Sequence, residues 1–284
     1  RNARGLIGPV PSSEIEPAMV ARKIAESPLV KGRSKRKPVL AVLTNSTYDG
    51  LCYDVERTTA LLSKSVDRIH YDEAWYAYAR FHPIYEGRYG MHRGKRSKGD
   101  ATVTVTHSTH KLLAALSQAS MIHIREGRIP VEPALFNEAF MMHTSTSPQY
   151  GIIASCDVAA AMMEQPGGRA LVQETIDEAL SFRRAMTAVK ADLKGSWWFE
   201  VWQPESMASQ PSANPADWEL KPGGNCSSIP AKIKRTTTTP TACANISPGL
   251  TSAGGAEATS CKSEENLIGE RCCGAQLMLG SCQL

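Results

Sequence analysis

The strongest constraint on the fold is a series of short apolar runs rich in β-branched residues. Three of them cover residues 38–44 (PVLAVLT), 66–70 (VDRIH) and 101–106 (ATVTVT), and a fourth strand is expected at 121–125. Runs of this length are typical of buried strands, and residues 53–65 have helix-like content. Strands that alternate with helices predict an α/β fold with a mainly parallel sheet, helical crossovers and flanking helices.

The middle of the chain is predicted to be mostly helical. Residues 151–163 and 169–194 carry apolar side chains at helical spacing. Residues 197–202 (WWFEVW) then predict a strand. We interpret residues 1–195 as part of one large domain, and residues 196–222 as the start of a smaller C-terminal domain.

The last stretch, residues 223–284, differs in composition from the rest of the chain. After Trp218 there is no Phe, Trp or Tyr in 66 residues, and six of the eight cysteines lie beyond Gly223. A segment that can bury so little large apolar surface is expected to be disordered. We interpret it as an atypical tail, disordered or non-native, and hypothesise a reading-frame shift or cloning junction near Gly223. Sequencing the coding DNA tests this hypothesis.

Composition argues against several classes of function. The net charge of the 284 residues is only +4, which gives no strong attraction to nucleic acid. No apolar run reaches the roughly 18 to 20 residues that a membrane span requires. The cysteines form no Cys-x-x-Cys pair, so we expect no metal site. The chain begins at Arg1 and shows no signal peptide, so we expect it to start inside a longer, cytoplasmic protein.

Lys111 is the candidate for a nucleophilic amine. It ends the run THSTHK (106–111), directly after the third predicted strand, and precedes the apolar residues 112–116. An apolar flank would desolvate the amine and favour its bond to an aldehyde such as pyridoxal phosphate (PLP). The alternative is an ordinary lysine at a helix start whose ammonium reaches solvent.

Polar residues at other strand ends complete a candidate cofactor site. Asp72 follows the second strand and could pair with the ring nitrogen of PLP, although Asp is equally common as a helix N-cap. Ser108 and Thr109 could bind the phosphate at a turn before a helix. Residues 45–47 could do the same or only shape a turn. Because ligands collect at the carboxyl edge of a parallel sheet, we expect Asp72 and Lys111 at one edge.

Two histidines and a basic run were also considered as binding sites. His107 and His110 stand three positions apart, but no third ligand lies at helical spacing, so zinc is not expected. A histidine beside the candidate lysine fits better as a contact to cofactor or substrate. Residues 31–37 (KGRSKRK) could form a nucleic-acid patch, but a solvated loop is the preferred interpretation.

Taken together, these runs closely resemble one family. Residues 106–120 (THSTHKLLAALSQAS) are similar to the PLP-lysine signature of the bacterial ornithine/lysine/arginine decarboxylases. The resemblance covers about residues 1–222. Supporting runs are 44–50 (TNSTYDG), 72–75 (DEAW), 136–143 (FNEAFMMH) and 144–148 (TSTSP).

The resemblance implies a PLP fold type I (aspartate-aminotransferase-like) major domain that is only partly present, with residues 1–195 in this PLP-binding domain. Lys111 would hold PLP as a Schiff base, and Asp72 would pair with the ring nitrogen. Ser108 and His110 would contact the phosphate or the cofactor region, and His110 would share in catalysis. Trp75 would shape the pocket, and no metal would be required.

The reaction implied by the resemblance is decarboxylation of a basic amino acid to the corresponding amine and carbon dioxide. Lysine or arginine is the expected substrate, with ornithine as the remaining alternative. Residues 144–147, including Ser145 and Thr146, would reach into the active site of a partner subunit. Such sites form at subunit interfaces, so we expect a homodimer or a larger homo-oligomer.

The chain departs from the family at both ends. The family places a ring-stacking histidine and a main phosphate-binding loop well before its PLP lysine, and this chain begins too late to contain them. The family's substrate-domain sequence, expected after Pro222, is also absent. We therefore expect the chain alone to be catalytically weak or inactive. The alternative function is a truncated, inactive decarboxylase that acts only through subunit pairing. The extended match around Lys111 argues against a third possibility, an aminotransferase.

Overall fold

The computed structural model describes most of the first 193 residues and four short segments beyond them. The predicted strand at 197–202 is described only over residues 199–201, and most of the predicted tail lies outside the described residues. The basic run at 31–37 is described only at Lys37. The described residues are 10–30, 37–47, 51–94, 96–145, 147–193, 199–201, 226–228, 235–237 and 277–278.

The elements alternate between strand and helix in the first half, as the sequence predicts. The strands are β1 (Leu40–Thr44), β2 (Leu51–Tyr53), β3 (Arg68–Asp72), β4 (Thr102–His107), β5 (Ser120–Arg125), β6 (Phe199–Val201), β7 (Cys226–Ser228), β8 (Arg235–Thr237) and β9 (Leu277–Met278). The α-helices are α1 (Pro17–Glu26), α2 (Val55–Leu62), α3 (Thr109–Leu112), α4 (Pro133–His143), α5 (Tyr150–Met162) and α6 (Gly167–Asp192). Four 3₁₀ turns cover Ser12–Ile15, Pro28–Val30, Ala77–Phe81 and Pro83–Tyr85.

The central sheet has the strand order β1-β3-β4-β5-β9. Strands β1, β3 and β4 are parallel, which confirms the prediction for these three. Strand β5 is antiparallel to β4, so the fourth predicted strand departs from the parallel pattern. The physical reason is the connection: α3 has only four residues, too short to carry the chain back along the sheet.

The other short strands form separate or peripheral pairs. Strand β9 is parallel to β5, whereas β2 with β7 and β6 with β8 are antiparallel pairs. Strands β7, β8 and β9 lie within residues 223–284, for which we predicted little order. Because the remainder of that segment lies outside the described residues, the interpretation of the tail stays a prediction.

The two faces of the sheet differ in cover. Ile69, Tyr71, Val103 and Val105 point to one face and are buried beneath α2, whose inward side includes Val55 and Leu62. Successive residues of a strand point to opposite faces. The other face therefore carries His70 and Asp72 together with Thr104 and Thr106. On β1 the same face includes Val42, which is 64% exposed, so polar groups on this face remain accessible.

Helices α5 and α6 form a second packed unit with the chain that follows β3. Ile176 of α6 and Met163 at the end of α5 pack against Tyr76 and Tyr85. The two helices confirm the predictions for 151–163 and 169–194. Helix α4 was not predicted, because its sequence has no continuous apolar stripe. In the structure, none of its residues is buried. The α5–α6 unit anchors the turn after β3, where candidate site residues begin.

Candidate active site

The candidate site lies at the carboxyl edge of β3 and β4. Hydrogen bonding between the two chains continues past the strand ends, because Glu73 N donates to Thr106 O (3.0 Å) and Ser108 N donates to Ala74 O (3.3 Å). The turn after β3 and the turn after β4 are therefore held side by side. This arrangement brings the predicted residues Asp72 and Lys111 to one edge.

Lys111 lies in the single turn of α3, and its backbone N–H donates to Ser108 O (3.0 Å). Its ammonium lies 4.7 Å from the centroid of the Trp75 ring. The expected apolar flank contributes less, because Leu112 is 40% and Leu116 57% exposed. The aromatic ring of Trp75, not the leucine run, therefore shields the amine from water.

Asp72 is half-buried at the end of β3. Its Oδ1 accepts a hydrogen bond from Ala74 N (3.1 Å), which is the local turn contact expected of the alternative, capping interpretation. Within the described residues, Oδ2 has no hydrogen-bond partner. One oxygen thus shapes the turn while the other is free to bind a positively charged or N–H group.

The residues between β4 and Lys111 point in different directions. Ser108 caps α3 without a side-chain capping bond, so its hydroxyl is available to a ligand. Thr109 is buried beside Cys156 and faces the interior, which removes it as a phosphate contact. His110 Nδ1 lies 2.8 Å from Ala119 O. Because a carbonyl only accepts, Nδ1 donates this bond.

Glu73 is a functional candidate that sequence reasoning missed. It is fully buried, and its carboxylate contacts three groups: Asn45 Nδ2 (2.7 Å), Gly90 N (2.7 Å) and His107 Nε2 (3.1 Å). The available signal was strand alternation. A residue directly after the accessible Asp72 must point into the covered face, and a buried carboxylate requires donors.

His107 stands behind the site against a second half-buried histidine, His123. The rings of His107 and His123 have centroids 4.9 Å apart and are tilted by 58°. Burial lowers the pKa of His123 to about 4, and the neighbouring His107 acts in the same direction. His123 is therefore neutral near pH 7, which lets it pack against His107 without charge repulsion.

His70 lies two residues before Asp72 on β3, on the same face of the sheet. Its Nδ1 is 2.9 Å from Thr104 Oγ1 and its Nε2 is 3.3 Å from Thr106 Oγ1. Burial lowers the pKa of His70, while the charges of Asp72 and Glu73 oppose this effect. The polar face beneath Asp72 is thus braced by hydrogen bonds between neighbouring strands.

The loop after β1 has a structural role. Asn45 donates through Nδ2 to Glu73 and to Arg88 O (3.1 Å), and its Oδ1 accepts from Tyr53 N (2.9 Å). Thr47 Oγ1 accepts from Leu51 N (3.1 Å). Of the two interpretations of residues 45–47, the turn-shaping one holds for Asn45 and Thr47, because these groups are already engaged.

The segment after α4 carries Ser145 and Thr146, the residues predicted to act at a partner's site. Ser145 is exposed, and its hydroxyl accepts from Ser147 N (3.1 Å). Thr146 lies outside the described residues. The predicted role of Ser145 and Thr146 at a partner's site therefore stays a prediction.

The described residues offer neither a metal cluster nor a membrane-spanning helix. Among the described residues, no group of three or more His, Cys, Asp or Glu side chains is placed to hold a metal ion. None of the helices there combines the length and the apolar composition needed to cross a membrane.

Comparison with known proteins identifies relatives of the chain. The family model for the Orn/Lys/Arg decarboxylase major domain matches residues 1–265. Lysine decarboxylase LdcA of Pseudomonas aeruginosa is 57% identical over 227 residues, which are 79% of this chain and 30% of that protein. The biodegradative arginine decarboxylase of Escherichia coli K12 is 47% identical over 224 residues, 78% of this chain and 30% of that protein.

Solved structures give the same result. Lysine decarboxylase A from Pseudomonas aeruginosa superposes with a TM-score of 0.70 at 53% identity, covering 83% of this chain and 33% of the solved one. The Escherichia coli constitutive lysine decarboxylase superposes with a TM-score of 0.68 at 39% identity, covering 82% and 32%. The chain spans about 30% of the length of the curated relatives it matches.

Proposed function

The chain belongs to the Orn/Lys/Arg decarboxylase family, and from this premise we propose that it contributes to PLP-dependent removal of the α-carboxyl group of a basic amino acid. Its fold is that of a PLP fold type I major domain, partly present. The observation that carries the proposal is the Lys111 ammonium 4.7 Å from the Trp75 ring centroid, beside Asp72 at the carboxyl edge of the sheet.

The residues at this edge fit PLP. The Lys111 amine is half-buried and can bond to the aldehyde, and Asp72 has a carboxylate oxygen without a partner among the described residues. The Ser108 hydroxyl makes no capping bond and can hold phosphate oxygens. When bound, PLP supplies an electron sink for the pair released as the bond between Cα and the carboxylate breaks.

The chain's own groups would act around that chemistry. Asp72 holds a proton on the ring nitrogen by opposing its charge. Trp75 limits the access of water to the Lys111 amine. Lys111 Nζ would hold the cofactor through its aldehyde carbon when no substrate is bound. His110, which precedes Lys111 and is held by its Nδ1 bond to Ala119 O, would contact the cofactor region through its other ring nitrogen.

Lysine or arginine is the proposed substrate. The lysine and arginine decarboxylases are 57% and 47% identical to this chain, whereas the ornithine decarboxylase of Haemophilus influenzae is 33% identical over 189 residues. The difference supports lysine or arginine over ornithine. Parallel assays with the three amino acids and one preparation of enzyme would rank them.

The proposal includes a homo-oligomer in the cytoplasm. Ser145 and Ser147 follow α4 and are exposed, which suits a role in the active site of a partner subunit. Among the described residues, Cys52 and Cys156 are buried thiols that form no disulfide, which suits a compartment where disulfides are rare. Sedimentation of the purified chain would measure its subunit pairing.

The test of the site is covalent labelling of the 284-residue chain. PLP is added, the adduct is reduced with borohydride, and the labelled lysine is identified by peptide mass spectrometry. We expect the label on Lys111 and its loss in Lys111→Ala. The control Lys64→Ala removes an exposed lysine at the end of α2 and should leave labelling unchanged. Labelling spread over surface lysines would refute the assignment.

The test of activity uses a chimera of LdcA from Pseudomonas aeruginosa in which residues 10–193 of this chain replace the matching segment. We expect the chimera to release carbon dioxide from lysine or arginine and the isolated chain to be weak or inactive. Robust turnover by the isolated chain would overturn the second expectation.

A second candidate function is an inactive subunit that acts only by pairing. Lys111→Ala separates the two, because it should abolish decarboxylation by the chimera and leave subunit pairing intact. A chimera without any decarboxylase activity, but with normal pairing, would favour the inactive subunit.

A further inference from the structure

We propose that Glu73 is a positioning residue which, through His107, fixes the arrangement of Asp72 and Lys111. This inference rests on the proposed function of those two residues. Glu73 follows Asp72 directly, and His107 precedes Ser108, the cap residue of the helix that carries Lys111. The Glu73–His107 contact therefore joins the two turns that form the site.

The carboxylate of Glu73 is held by donors from three other segments. Oε1 accepts from Asn45 Nδ2 (2.7 Å) at the end of β1 and from Gly90 N (2.7 Å), and Oε2 is 3.1 Å from His107 Nε2. The residue has no exposed surface. A buried carboxylate is unfavourable unless it is paired, so Glu73 can sit here only while all these segments stay in place.

The contact with His107 has a defined direction. A carboxylate only accepts, so Nε2 of His107 donates to Glu73 Oε2. The other side of the His107 ring lies against His123, with centroids 4.9 Å apart. His107 is thus held between a buried acid and the half-buried ring of His123, which limits its freedom to move. Since Ser108 follows it in the chain, the start of α3 is fixed as well.

Glu73 acts through the backbone and not on a ligand. Its side chain points to the covered face of the sheet, whereas Asp72 points to the accessible face. The two backbone bonds from Glu73 N to Thr106 O and from Ser108 N to Ala74 O complete the link. A misplacement of reacting groups by roughly 1 Å can reduce a rate about 10²-fold, so such a link has functional weight.

Gly90 shows how closely the parts of this cluster fit. A Cβ added there would overlap Val105 Cγ2 and lie 3.6 Å from Glu73 Oε1. Only a glycine lets the loop bring its N–H to the carboxylate. The sequence therefore supplies a donor without a side chain at the place where Glu73 requires one.

Hydrogen exchange of the chain without PLP tests the positioning role. Glu73→Gln keeps the size of the side chain but removes the charge and one acceptor oxygen. We expect amide exchange in residues 106–112 to rise about tenfold or more, the loss expected for one charge-assisted hydrogen bond. The matched control is Asp67→Asn, which likewise removes the charge from a carboxylate contact of 3.1 Å, the Asp67–Arg128 pair at the opposite edge of the sheet.

The control should leave exchange in residues 106–112 unchanged. Exchange in 106–112 that does not respond to Glu73→Gln, or that rises equally throughout both variants, would overturn the proposal. Two further variants cover the case in which Glu73→Gln does not fold. His107→Gln keeps a donor, so its amide exchange in residues 106–112 should match that of the parent chain. His107→Leu removes the donor, so exchange in the same residues should rise as expected for Glu73→Gln.

The functional part of the inference is read from PLP labelling. We expect the PLP concentration for half-maximal labelling of Lys111 to rise about tenfold in Glu73→Gln and not in Asp67→Asn. Equal labelling of the parent chain and Glu73→Gln would count against the inference. Absence of Lys111 labelling in the parent chain would count against the proposed function, while the exchange experiment still decides the role of Glu73.

Discussion

The ammonium of Lys111 lies 4.7 Å from the centroid of the Trp75 ring, so residues from two adjacent turns meet at the carboxyl edge of the sheet. A cation over an aromatic face is stabilised by about 0.5–1 kcal/mol when the site is partly exposed. The contact also limits the positions that the long lysine side chain can adopt. Under the proposed function, Trp75 would hold the amine in place for its bond to the cofactor.

Trp75→Leu should weaken PLP labelling of Lys111. The loss of about 0.5–1 kcal/mol predicts a two- to fivefold rise in the PLP concentration for half-maximal labelling. Trp75→Phe keeps an aromatic face and should lose less. Tyr150→Leu removes an aromatic ring that is 78% exposed and serves as the control. Labelling of Trp75→Leu at the parent concentration would show that the ring is not used.

Asp72→Asn should separate cofactor binding from turnover. The Asn side chain keeps the oxygen that accepts from Ala74 N, so the turn is preserved, but it has no charge to hold the ring nitrogen protonated. We expect carbon dioxide release by the chimera to fall roughly 10²–10³-fold, the usual effect of losing one preorganised electrostatic group. Labelling of Lys111 should persist.

The control for this substitution is Asp177→Asn. Asp177 is an exposed helix residue that accepts a hydrogen bond from Gln173 Nε2 (2.9 Å), and Asn keeps that acceptor. Its chimera should retain the parent rate of carbon dioxide release. A comparable fall in both chimeras would mean that charge in general, and not the place of Asp72, controls the rate.

Much of the fold follows from the pattern of apolar residues. The runs that became β3 and β4 are buried or half-buried strands, and α5 and α6 have one packed side. The prediction of a buried strand at 38–44 is wrong in its burial, because β1 lies at the end of the described strand order and its residues are exposed or half-buried. The direction of β5 does not follow from its own residues. It depends on the length of α3, and a single helical turn after a strand leaves no periodic signal.

Part of the site was predictable from one rule, namely that ligands bind at the carboxyl ends of parallel strands. That rule places Asp72 and Lys111 together because both follow strands of one parallel sheet. It says nothing of Glu73, whose partners Asn45, Gly90 and His107 come from segments far apart in the chain. Contacts of this kind depend on how loops fold over the sheet, and local spacing does not encode them.

Acid should destabilise the chain through His123. Burial lowers its pKa to about 4 in the folded chain, against an unfolded value of about 6.5. The unfolded state therefore binds more protons between these values, and stability falls as the pH decreases from about 6.5 to about 4. The expected contribution is about 2 kcal/mol less stability at pH 5 than at pH 7.

Urea unfolding at pH 7 and pH 5 measures this contribution. In His123→Phe the ring is kept and the titration removed, so the loss of stability between the two pH values should shrink by about 2 kcal/mol. His143→Phe alters an exposed histidine at the end of α4 and should leave the loss unchanged. An identical pH dependence in the parent and His123→Phe would contradict the assignment.

Two helical glycines should respond to the same substitution with opposite signs. A Cβ at Gly168, in the first turn of α6, would overlap the backbone carbonyl of Met163 at the end of α5. Backbone cannot move aside as a side chain can, so Gly168→Ala should cost about 1–3 kcal/mol.

At Gly151, in the first turn of α5, nothing lies within 4 Å of the added atom. Gly151→Ala should therefore stabilise the helix by up to about 1 kcal/mol. Thermal unfolding followed by circular dichroism compares both variants with the parent chain. A rise in the midpoint for Gly168→Ala would show that the α5–α6 junction can open without cost, and that the close approach at Met163 does not hold the two helices.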